Sequence, residues 1–252
     1  MKNTFRQVMV VLTIAGAIAI NILANALPIN GLNTGQISDR FQVYFVPAGY
    51  VFSIWGLIYI GLIAYAVFQA LPSQKDNPRL QATGWWVVLG ALANSLWIFL
   101  WHYEQFVGTL SAMLVLLASL IAVYLRLDTG RSRVPPAETW TVCLPFSIYL
   151  GWITVATVAN VTDVLDFLRW DAFGIPAATW MVIILAVVLL LAVLMNFLRR
   201  DIAYAAVLLW ALAGIAVKFP AEGMVTIATW VTFGLVVLSL AAALLLRSPQ
   251  KA

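Results

Sequence analysis

Eight apolar stretches of roughly 20 residues, the length that crosses a bilayer core, leave this chain few ways to fold. They lie near 8–27, 48–70, 84–102, 107–125, 141–161, 176–198, 202–218 and 224–246. In lipid every backbone N–H and C=O must be satisfied internally, so only helices and closed barrels can span. The alternating pattern of barrel strands is absent. The expected fold class is therefore all-α, a polytopic membrane helix bundle with eight transmembrane helices. Charged residues make up only 10% of the 252, against about 25% in soluble domains, and they sit in short islands between the stretches.

The formal charge of +4 invites an anionic partner, but its placement argues for topology. If the N-terminus is inside, the inner segments hold Lys2, Arg6, Lys75, Arg79, Arg126, Arg131, Arg133, Arg199, Arg200, Arg247 and Lys251. The outer loops keep Arg40, Arg169 and Lys218. Such alternation predicts both termini in the cytoplasm and no nucleic-acid partner. The start, "MKNTFRQVMVVLTIAGAIAINILANA", imitates a signal peptide, but its apolar run is longer than a signal core and is read as a retained span. A single cysteine, Cys143, excludes an internal disulfide and cysteine-based metal sites.

Three connections are long: an Asn/Gly/Pro-rich outer loop at 28–47, a basic inner loop at 126–140, and an acidic outer loop at 162–175 with a short interfacial helix expected around Leu165–Trp170. Tryptophan, tyrosine and asparagine concentrate before residue 161, whereas the last three spans are mostly Leu, Val and Ala. Two domains are expected: 1–161, a five-helix bundle, and 162–252, an outer loop with three further spans.

Within the first part, three spans carry polar-aromatic stripes at helical spacing. Pro145, Tyr149, Trp152, Ala156 and Asn160 share one face, as do Trp86, Gly90, Asn94, Trp97 and Trp101, and Phe52, Trp55, Tyr59 and Ala66. An asparagine amide facing lipid would lose its partners at a cost of about 2–7 kcal/mol, so these faces should look inward. Belt positions account for Trp85, Trp140 and Trp170. Composition leaves two readings of the inward stripes open, close helix packing and an aromatic-lined pocket.

The same residues carry a resemblance. "VPAGYVFSIWGLIYIGLIAY" (46–65), "ANSLWIFLW" (93–101) and "PFSIYLGWITVATVAN" (145–160) resemble the second, third and fifth helices of the TspO/MBR family, the tryptophan-rich sensory proteins and translocator proteins. The resemblance covers residues 8–161. It implies a five-helix bundle in a bacterial plasma membrane, with a pocket that opens toward the loop after the first helix. It also implies a flat hydrophobic ligand, a porphyrin or haem-like tetrapyrrole, with no required cofactor. Carried over, Trp55, Asn94, Trp97, Trp152 and Ala156 line the pocket, and Tyr44, Phe45 and Pro47 stand at its mouth. Tyr59, Tyr149 and Asn160 join them through their stripes. Two departures are visible: the family's paired prolines appear as Pro47-Ala48, and its aromatic pair as Tyr44-Phe45. The ending "VTDVLDF" lacks the aromatic-basic pattern of sterol-binding members, so cholesterol is not expected.

Three functions follow as expectations. The first is a receptor or carrier for a planar apolar molecule. The second is a secondary transporter of a small apolar solute, although the spans lack central ionisable groups and His102, Glu104 and Lys218 stand at span ends. The third is light- and oxygen-dependent porphyrin breakdown. No acid–base pair, nucleophile–histidine pair or metal cluster is visible inside the spans, so conventional catalysis is not expected. Expected partners are the lipid bilayer, a hydrophobic small molecule and, through the small-residue faces of the last three spans, a second copy in a homodimer.

Overall fold

A computed structural model describes residues 2–27 and 29–246; Pro28, Arg247 and Lys251 lie outside them. Every regular element among these residues is helical. Seven helices are long and apolar enough to cross a membrane. They include α1 (Lys2–Ala26), α3 (Ile54–Ala70, entered through a 3₁₀ turn at Gly49–Ser53), α4 (Pro78–His102) and α5 (Phe106–Arg126). The short α2 (Thr34–Ser38) lies in the first loop, and the one-turn α6 (Pro136–Glu138) leads into α7 (Leu144–Phe167). Then follow α8 (Ala177–Arg199), α9 (Ile202–Lys218) and α10 (Gly223–Leu245). The span expected near 202–218 is α9, which at 17 residues is about 25 Å long.

The chain divides into two compact units, Met1–Gln42 with Ser53–Arg169, and Val43–Phe52 with Trp170–Ala252. In the first, α1 packs on α4, α4 on α5, α5 on α7, α7 on α3, and α3 returns to α1. Five helices thus close a ring. Local chemistry sets several of their ends. Asn77 caps α4 by accepting from the Arg79 and Leu80 amides, with Pro78 at the first helical position, where its missing N–H costs nothing. Pro145 stands in the first turn of α7, behind a π-helical turn at Thr139–Cys143. Such a turn accommodates a residue that cannot donate. Opposite it, α3 presents Gly61, where an added Cβ would stand 2.9 Å from the Pro145 Cβ. The two helices touch there, backbone to ring.

Two expectations change. The loop expected at 162–175 begins later, because α7 continues to Phe167 and the interfacial helix is its last turn. Polar Thr162, Asp163 and Asp166 leave the apolar pattern without breaking the helix. It ends where Arg169 takes a left-handed φ of 52°. The first loop is also structured. Its α2 carries an Asn33–Gln36 capping box, and Ile37 and Phe41 pack with Trp101 and Phe106 over one end of the ring. The buried His102 holds the loop through Ile29 O and Thr34 Oγ1, both at 3.1 Å. Arg40 hydrogen-bonds Glu104 at 2.6 Å and holds that carboxyl below its usual range.

In the second unit α10 packs on α8 and α9. Buried Asn196 donates to Ser239 Oγ at 2.8 Å and Val236 O at 3.4 Å, as an amide must in an apolar interface. Segment 43–52 belongs to this unit and lies along α9. Ala48 N donates to Gly214 O at 3.1 Å, and Trp210 Nε1 to Val51 O at 3.1 Å.

Candidate functional site

All five helices of the ring contribute to one internal hollow. From α3 come Trp55, Tyr59 and Leu62; from α4, Trp86, Gly90 and Asn94; from α7, Phe146 and Tyr149; from α1, Ile14, Ile18 and Asn21; from α5, Leu120. Trp55 is its aromatic centre. It stacks on Tyr59 with centroids 5.5 Å apart and meets Tyr149 edge-on at 6.0 Å. Asn21 donates to Asn94 Oδ1 at 2.6 Å, joining α1 to α4. None of these lining residues is ionised in water, so the site offers ring faces, ring edges and two amides.

Of the residues expected to bind ligand, the structure brings Trp55, Tyr59, Asn94 and Tyr149 to this hollow. Trp152 stands behind it, buried, with its ring edge-on to Trp55 at 6.3 Å. Trp97 and Asn160 lie apart. Trp97 stacks on Trp101 at 5.0 Å and donates to Asn160 Oδ1 at 3.2 Å, while Asn160 donates to Thr109 Oγ1 at 2.9 Å. Their polar atoms therefore serve a structural cluster near the first loop. Ala156 is partly exposed and does not line the hollow.

The residues expected at the mouth make their contacts within the second unit. Tyr44, Phe45 and Pro47 belong to the second unit. Tyr44 meets Phe219 edge-on at 5.3 Å, Phe45 is buried, and Pro47 stands against Gly214.

The hollow is about 20 Å³, room for about one water molecule and far below the roughly 300–1,000 Å³ of drug-sized ligand pockets. Asn21 stands outside the three stripes read in the sequence, although an amide inside an apolar span is a usable signal. Among the described residues no group of His, Cys, Asp and Glu could hold a metal. Replacing Asn94 with leucine should lower stability by about 0.5–1.5 kcal/mol, the range of interhelical polar bonds in membranes. Thermal unfolding checks this, and Asn21→Leu/Asn94→Leu should lose no more than the single change.

The sequence matches the family described as TSPO-like protein over residues 7–243, a span that includes the last three helices. Comparison with curated proteins and with solved structures returned no match. With its aromatic-lined ring of five helices and, among the described residues, seven helices long and apolar enough to cross a membrane, this chain is an integral membrane protein that belongs to the TSPO-like family.

Proposed function

We propose that the protein is a membrane receptor or carrier for a flat apolar ligand of the tetrapyrrole class, taken up inside the five-helix ring. What supports this reading is the convergence of Trp55, Tyr59 and Tyr149 with the Asn21–Asn94 amide pair on one hollow. Aromatic faces stack on a planar ring, and the amides orient its polar edge. The hollow of about 20 Å³ is smaller than a porphyrin, so binding requires a wider state of the ring, selected or induced, and part of the binding free energy offsets that change. The basic residues on alternate connections support a topology with both ends of the chain on the cytoplasmic side.

The test is a titration of the purified chain in detergent with protoporphyrin IX. A Soret shift that saturates near one porphyrin per chain, at roughly micromolar concentration, is expected. A response that rises without saturation and equals that of empty micelles contradicts the reading. Native purification followed by an absorption spectrum and mass spectrometry then names the resident ligand.

A further inference from the structure

A second cavity, a groove of about 460 Å³, lies between α1 and α3. Its rim includes Ile63 and Val67, which are 51% and 61% exposed. On apolar helices of a membrane protein, such residues face lipid. Ile14 and Ile18 border this groove and also line the internal hollow. Two isoleucine side chains are thus a wall common to both spaces.

The contact between α1 and α3 is built unevenly. At one end Gln7 donates to Gln69 O at 2.6 Å, and Gln69 donates to Gln7 O at 3.0 Å. Beyond this reciprocal pair the groove lining is aliphatic, and Ala15, Ala66 and Ala70 leave the space that larger side chains would fill. Widening the gap beside Ile14 and Ile18 costs dispersion contacts but breaks no hydrogen bond among the lining side chains. The groove also has the size of a small-molecule site, which the hollow does not.

We infer that the α1–α3 groove is a lateral portal, where a planar apolar ligand dissolved in the bilayer first docks and then passes between α1 and α3, past the Ile14 and Ile18 side chains, into the ring. The inference rests on the hollow being the ligand site. It accounts for access to an enclosed cavity: the ligand never crosses water, and the gate consists of side chains that rotate together with a small displacement of α1 about its Gln7–Gln69 anchor.

The test uses the full chain in nanodiscs, mixed by stopped flow with protoporphyrin-loaded vesicles and followed by tryptophan quenching. Ala15→Phe and Ala70→Phe place bulk in the groove at exposed positions that do not line the hollow. Both should slow association and dissociation by about tenfold at unchanged affinity, because a portal is crossed in both directions. Ala15→Leu, a smaller insertion, should slow them less, and unfolding temperatures close to that of the unaltered chain show that the fold is kept. Normal quenching amplitude with unchanged rates would overturn the portal alone. A weaker affinity without slowing would overturn it too. So would a phospholipid retained by the unaltered chain and lost from Ala15→Phe at unchanged rates, which assigns the groove to an acyl chain. Absence of quenching in the unaltered chain would overturn both the portal and the ligand site.

Discussion

Arg79→Met is expected to destabilise the protein by about 3 kcal/mol, the lower end of the range for breaking a buried ion pair. The Arg79 Nε stands 2.5 Å from Glu138 Oε1, and its Nη2 donates to the Leu127 carbonyl. One side chain thereby fastens the first turn of α4 to the residue after α5 and to α6. The Glu138 side chain is only 6% exposed, so methionine would leave a carboxylate enclosed without its counter-charge. Arg79 is itself 24% exposed, and water at that edge softens the loss. Thermal unfolding of Arg79→Met, Glu138→Leu and the double replacement checks the account. The double variant should recover most of the stability, since removing both charges removes the desolvation penalty with the attraction. Losses that simply add would mean that the two groups are not coupled.

In the second unit the largest effect is expected at Gly214. A Cβ there would stand 2.2 Å from Val51 Cγ2 and 3.2 Å from Pro47 Cβ. Val51 is fully buried and has nowhere to retreat. Trp210, one turn earlier on α9, donates to Val51 O and meets Tyr50 edge-on at 5.3 Å. Gly214→Ala should therefore lift segment 43–52 from α9 at a cost of about 1–3 kcal/mol, the usual penalty for overpacking. The emission of Trp210 should change with it. Gly234→Ala, where an added Cβ meets nothing within 4 Å, is the matched control. Equal unfolding temperatures for the two variants would contradict the close approach.

The spans were legible because a bilayer imposes one length and one polarity on whatever crosses it. Part of the site was legible too: the spacing of Trp55 and Tyr59 on α3, and the amide of Asn94 on α4, point these residues inward. Helical spacing reads direction around an axis, however, and not depth along it. Trp97 and Trp101 share the Asn94 stripe, but Trp101 lies seven residues further, about 10 Å along the helix. The pair accordingly packs with the first loop instead of the hollow. Helix α7 shows the same limit in another form. It is buried on most of its surface, so one stripe could not say which of its neighbours Trp152 and Asn160 would meet. The placement of segment 43–52 along α9 left no local signal, because Val51 and Trp210 are 159 residues apart.

The most direct measurement is the affinity of protoporphyrin IX for Trp55→Leu beside that for Trp97→Leu, by Soret titration under identical conditions. Trp55 faces the hollow and Trp97 does not. A planar guest inside the ring predicts a loss of about tenfold or more for Trp55→Leu, the loss of one buried stacking partner, and an affinity within about twofold of the unaltered chain for Trp97→Leu. Equal affinities for the two variants, or a loss confined to Trp97→Leu, would place the ligand outside the five-helix hollow and contradict the account.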